Sequence, residues 1–327
     1  MGLFAVLAGL VVMSLPGTTS ASSAPAPLRD PAVVIRPAAP EPILIDATLE
    51  RMVAAAQAVP GSFRAPAARA TISRFRDAQV VSVYGFPGQC TMGELGCHSA
   101  EDAATRAQQL ASVQDAVNGD RGTVPAMHLI VDMAQASPGY DGAYLGRLPI
   151  EEIQRYVEVA RTRGMLLFVD VQVGWADPLT EVARLRPVLQ EPFVHLGLDP
   201  EFATKLKQQA PGEAIGTLDA TQVNAVQGYL ADLVRLHHLP PKILVLHQFQ
   251  PGMLTRKSAY LDHPEVEVTI DMDGFGGIEE KVAGYDAYAR VDAEYSAFKL
   301  FFHWDAPLLT PRELQSLAHP PDYIIYQ

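Results

Sequence analysis

Cysteine is scarce in this sequence: Cys90 and Cys97 are the only two in 327 residues. That count excludes a four-thiolate zinc site and a disulfide-built scaffold, which both need more sulfur. There is no Lys/Arg cluster, and the formal charge is −12. Nucleic acid and anionic membrane surfaces both require a basic patch, so neither is an expected partner. G-x-G-x-x-G after the first strand-like run, a P-loop and G-x-S-x-G are all missing. Their absence removes the dinucleotide fingerprint, the phosphate cradle and the nucleophile elbow. No repeat of fixed period is visible.

A long spanning run is missing too. The apolar stretch of "MGLFAVLAGLVVMSLPGTTSASSAPA" extends only over residues 2–15. It is short for a membrane span and suits the core of a signal peptide, with small residues at Thr19 and Ala21 permitting cleavage after Ala21. No Lys or Arg precedes it, which departs from the usual signal pattern. Export is the expectation, to the outside or the cell envelope; the alternative is an uncleaved anchor through residues 2–15. Residues 22–45 are rich in Pro and Ala and read as a linker. In an oxidising space Cys90 and Cys97 in "GQCTMGELGC" are expected to form a local disulfide that staples a loop.

What is present is apolar: 48% of residues are hydrophobic, enough to build a sizeable core. Eight apolar, β-branched runs lie at 79–85, 126–133, 165–171, 193–199, 242–249, 266–271, 298–304 and 322–327. Helical spacing fills 100–117, 149–163, 177–190, 220–238 and 278–294, with shorter segments at 250–261 and 311–318. A further helical stretch precedes them at 46–59. Strands alternating with helices indicate parallel βα units. Eight of them predict an α/β fold, a single (β/α)8 TIM-like barrel over 46–327 with its last helix missing. An open doubly wound sheet is the alternative.

In such a barrel the working residues sit at the C-terminal strand ends. Acids collect there. Asp132 ends the second run, Asp170 the third, and Asp271 and Asp273 the sixth. "HLGLDPEF" places Asp199 and Glu201 two apart at the end of the fourth, on one face if the strand continues. His247 and Gln248 end the fifth, and His303 ends the seventh. Tyr140, Trp175 and Trp304 fall in or beside the adjoining loops. Each has a plainer use: an Asp after a strand caps the next helix, a His in an apolar strand is a satisfied core residue, and an aromatic anchors a loop. The convergence weighs more, because crowding acids without a task costs stability.

Paired carboxyls beside aromatics suit glycoside hydrolysis, which needs one protonated and one ionised carboxyl across the bond. The expected assignment is Glu201 as proton donor, Asp199 tuning it, and Asp271 or Asp170 as the second carboxylate. Asp132, His247, Gln248, Asp273, His303, Tyr140, Trp175 and Trp304 would bind substrate, a polysaccharide or cell-wall glycan. No metal and no cofactor is assigned. Two alternatives stay open. One is a non-catalytic barrel that binds glycan or wall. The other is a metal-dependent hydrolase using His247, His303, Asp132, Asp170 and Asp271; it ranks lower because "VYGFPG" lacks a His-x-His. Oligomeric state is left open.

The ordered segments "VYGFPG", "DMAQASPGYDG", "VDVQVG", "LGLDPEF", "LVLHQFQPGMLT", "IDMDGFGG", "APLLTP" and "IIYQ" resemble a group of secreted or lipoprotein-like barrel proteins of actinobacteria and related bacteria, over roughly 79–327. The resemblance implies export and a barrel-like fold and gives no reaction. No cysteine lies near the apolar start, unlike the lipoprotein members. A weaker likeness, carried by Asp199 and Glu201, is to glycoside-hydrolase barrels with D-x-E at the fourth strand.

Overall fold

The computed structural model describes residues 47, 48, 50–52 and 74–327. The expected signal segment (1–21), the linker (22–45) and most of the expected helix at 46–59 lie outside the described residues; 47, 48 and 50–52 are helical. Among the described residues no helix is long and apolar enough to cross a membrane.

Eight strands form the barrel: β1 (Gln79–Gly85), β2 (Thr123–Ala134), β3 (Leu166–Gln172), β4 (Val194–Asp199), β5 (Lys242–Gln248), β6 (Val266–Met272), β7 (Tyr295–Leu300) and β8 (Tyr323–Tyr326). Each pairs in parallel with the next, and β8 pairs in parallel with β1, so the sheet is closed. Strands buried on both faces require near-continuous apolar sequence, which is what made the eight runs readable.

The helices cover the outside: α1 (Ala100–Asp115), α2 (Ile150–Arg163), α3 (Pro178–Arg184), α4 (Ala220–His237), α5 (Ile278–Gly284) and α6 (Pro311–Gln315). Their ends follow local chemistry. Ser99 caps α1 by accepting from the Asp102 N–H. Gly164 ends α2 in the left-handed region, φ 64°. Asp219 with Gln222, and Thr310 with Glu313, form capping boxes on α4 and α6. The β5–β6 connection holds short 3-10 turns, Pro251–Met253 and Lys257–Ala259, and a two-residue strand, Leu254–Thr255, that pairs in parallel with Leu218–Asp219.

Alternation along each strand separates two cores. Val81, Met127, Leu167, Leu196, Leu244, Ile270, Phe298 and Ile324 pack under the helices. Val80, Ala126, Phe168, Val245, Ala297 and Tyr323 fill the barrel interior together with Phe75. Phe75 comes from the turn of helix at Arg74–Asp77 just before β1, and stacks 4.7 Å from Tyr295 at the start of β7. It therefore closes the N-terminal end of the barrel.

Two strands depart from expectation. The β2–β3 register shifts between Ile130 and Asp132, a bulge that turns Asp132 outward. And β7 ends at Leu300, short of "FHW". The chain turns there because the Asp305 carboxylate accepts the Phe301 N–H at 2.9 Å, while the Asp305 N–H returns to the Phe301 carbonyl. The Cys90–Cys97 disulfide forms in the loop after β1.

Candidate functional site

Above the aromatic middle of the barrel, seven strands send polar side chains to a common point. Asp170 of β3 is at its centre. The Tyr84 hydroxyl of β1 donates to Asp170 Oδ2 at 2.7 Å. His247 Nε2 of β5 stands 3.4 Å from the same oxygen, and His128 Nε2 of β2 stands 3.9 Å from it. On its other side His247 Nδ1 meets Asp271 Oδ2 at 2.9 Å and Asp273 Oδ2 at 3.3 Å. Lys299 of β7 bonds Asp273 Oδ1 at 2.8 Å and lies 3.6 Å from the centre of the Tyr84 ring. Asp199 of β4 completes the ring of charge. His128, Asp170, His247 and Asp271 are entirely shielded from solvent. Gly197 of β4 leaves room for them: a Cβ there would strike Asp170 Oδ1 and come within 2.8 Å of His128 Nε2.

The field inside this well separates the acids. Burial pushes the Asp199 carboxyl up to about 7, with Asp273 and Asp170 adding to the shift against His247 and Lys299. Burial, then Asp199 and Asp273, hold Glu201 well above the usual carboxylate range. For Asp170 and Asp273 burial acts upward but is overcome: His247 and His128 pull Asp170 well down, and Lys299 and His247 pull Asp273 down. Two acids are thus biased toward the proton and two toward ionisation.

Glu201 is not on the strand. Pro200 ends β4, and Pro200–Phe202 form a 3-10 turn whose Glu201 N–H donates to Asp199 Oδ1 at 3.0 Å. The same-face expectation for the pair is therefore corrected: Asp199 caps the turn that carries Glu201. Glu201 is partly buried at the end of the β4 strand.

Of the other expected residues, Asp273, Asp271, Asp170 and His247 join this cluster. Asp132 does not; it is fully buried outside the barrel in an ion pair with Arg184 of α3, which also approaches Glu181. Gln248 is used by its own loop, donating to the Gln250 carbonyl and accepting from Lys257. His303 lies in the turn after β7, beside Glu94 and Gln327, and outside the cluster. Trp304 packs with Phe275 and Phe301, at 5.8 and 5.7 Å between ring centres. Trp175 stacks on Tyr144 and its indole N–H is shared by Thr204 and the Gln209 carbonyl, so it anchors a loop. Tyr140 is almost wholly exposed.

Tyr84, Gly197, Lys299 and Tyr323 belong to the site and were not picked out from sequence, and neither was His128 assigned to it, since a histidine in an apolar strand reads as a satisfied core residue. One signal was available. Lys299 interrupts an apolar strand at an interior position, and His128 shares interior parity with Asp170 once the register is known. Models of known protein families and curated proteins give no match to the chain.

Proposed function

We propose that this (β/α)8 barrel is an exported, glycoside-hydrolase-like protein that acts on a polysaccharide or cell-wall glycan. The observation that carries the reading is Glu201: a partly buried carboxyl beside Asp199 and Asp273, where burial and its acidic neighbours favour the protonated form. That is the state a proton donor to a glycosidic oxygen needs. The ionised partner in this reading is Asp273, held down by Lys299 at 2.8 Å. Asp271 and Asp170, named from sequence for that role, are committed deeper to His247. Phe275, which is 41% exposed, and Trp304 offer apolar faces to a sugar ring. The resemblance to secreted actinobacterial barrels supports export.

The test is release of reducing ends from a panel of wall and storage polysaccharides. Wild type is expected to release product, and Glu201→Gln to lose roughly 10²–10⁴-fold in rate, the usual contribution of a general acid. The rate should fall on the alkaline side as Glu201 loses its raised-pKa proton, and on the acid side as Asp273 gains one. Silence from wild type on every polysaccharide would overturn the catalytic reading. Glycan retention by both wild type and Glu201→Gln, without product, would replace it with a binding barrel.

A further inference from the structure

We infer that His128, Asp170 and His247 form a site for one divalent first-row transition ion of the zinc type, beneath the Asp199–Glu201 pair. The three side chains come from β2, β3 and β5, and all are fully buried. One ligand atom from each lies within 4.8 Å of the others. His247 Nε2 and Asp170 Oδ2 are 3.4 Å apart, which matches the roughly 3.4 Å expected between two ligands each about 2.1 Å from a tetrahedral zinc. No hydrogen-bond partner among the described residues meets His128 Nε2 or Asp170 Oδ1, and His247 Nε2 has only its 3.4 Å approach to Asp170 Oδ2. A buried polar atom without a good partner is costly, and atoms that converge in this way call for a common one.

In the neutral form that binds metal, the outer contacts fix which nitrogen carries the lone pair. Tyr323 gives its hydroxyl proton to Ser82 at 2.8 Å, so it receives the N–H of His128 Nδ1 at 3.0 Å. Asp271 is an acceptor only, so it receives the N–H of His247 Nδ1 at 2.9 Å. Both imidazoles therefore turn Nε2 toward Asp170, and Tyr84 fixes the carboxylate by donating to Oδ2, the oxygen both imidazoles face, which leaves Oδ1 without a protein partner. Ligands held by such second partners are the usual arrangement of a metal centre. Two imidazoles and one carboxylate select zinc, iron or manganese over calcium and magnesium. Gly197 keeps the space: a side chain there would fill it. Lys299, the lysine that reaches this cluster from β7, is already paired to Asp273 and does not meet Asp170. The neighbouring trio His247, Asp271 and Asp273 is the weaker site, because Lys299 occupies Asp273 and His247 faces it through the protonated Nδ1.

This inference stands apart from the glycosidase reading, and its test measures binding alone. The full chain, stripped with chelator under mildly denaturing conditions and returned to native buffer, is dialysed against Zn²⁺ and the zinc per chain is counted. One ion per chain is expected. His128→Ala and His247→Ala should each weaken binding at least about tenfold, and Asp271→Asn about 10–100-fold, as loss of an outer partner does. A His237→Ala/His238→Ala control should bind as wild type. Circular dichroism establishes that each variant folds. Where one does not, X-ray absorption on the zinc-loaded wild type reads the ligands, with two imidazoles and oxygen expected. Less than stoichiometric zinc in the folded wild type overturns the inference. So does wild-type affinity in folded His128→Ala and His247→Ala, or an absorption spectrum without imidazole. The first outcome leaves His247 as an ion-pair partner of Asp170 and Asp271, and the other two place the zinc elsewhere on the chain.

Discussion

Asp199 has two partners of opposite demand. Its carboxylate accepts the Glu201 N–H, yet it stands in a well already crowded with negative charge. Burial wins, helped by Asp273 and Asp170, and its pKa is pushed from 3.8 up to about 7. The folded protein then holds a proton that the unfolded chain has released, so stability falls as pH climbs from about 4 to about 7. Asp199→Asn carries no such proton. The urea midpoint of that variant is expected to exceed wild type at pH 8 and to approach it at pH 4.5; equal differences at both pH values would show that Asp199 is not the group responsible. At this scale the sequence was informative where an acid ended an apolar run, as with Asp170, Asp199 and Asp271. It misled where one residue broke the period. Pro200 has no N–H to continue a ladder, so Glu201 rides on a turn. His128 was hidden because its neighbours across the sheet are set by register, which a single strand does not carry.

Among the elements, α5 is tied to the turn after β7 by one buried pair. Lys281 Nζ stands 3.0 Å from Asp305 Oδ2 and also donates to the carbonyls of Gly274 and Lys299. Asp305 in turn accepts the N–H groups of Phe301 and Gly276. Lys281→Met would leave a buried carboxylate without its cation. A loss of about 3–5 kcal/mol is expected from chemical denaturation, the range for a broken buried pair. Lys281→Met with Asp305→Asn should lose less than the sum of the two single changes, since the partners are in contact. This pair also explains why "FKLFFHW" was read too long. Its apolar pattern continues past Leu300, but the backbone is stopped by a carboxylate five residues further on. The β2 bulge was equally invisible, because "HLIVDMA" gives no sign of the extra residue that turns Asp132 to Arg184. Helices α1, α2 and α4 were legible almost to their ends, where Ser99, Gly164 and Asp219 act by local chemistry, whereas the stretch read over 278–294 overshoots α5, which ends at Gly284.

The barrel as a whole was readable because eight strands buried on both faces need eight apolar runs, and the helical spacing between them leaves few other arrangements. The loop after β1 adds a covalent closure. Cys90 and Cys97 are seven apart, and opening a loop of that size by Cys90→Ser is expected to cost about 2–3 kcal/mol in the chain-entropy account. Thiol titration of the unfolded, unreduced protein should find no free cysteine; two free thiols would contradict the bond.

Phe75 plugs one end of the tube and the stacked rings of His128, Phe168 and Tyr323 fill its middle. Any approach to the charged cluster above them must therefore come from the C-terminal ends of the strands. Whatever reaches Asp170 must leave by the path it came, and nothing can thread the barrel as a chain threads a pore. A polymer can only lie across the mouth and lower one unit, or one end, toward the charges. Water, protons and ions share that same passage, so an occupant at the rim would seal the floor from exchange for as long as it stayed.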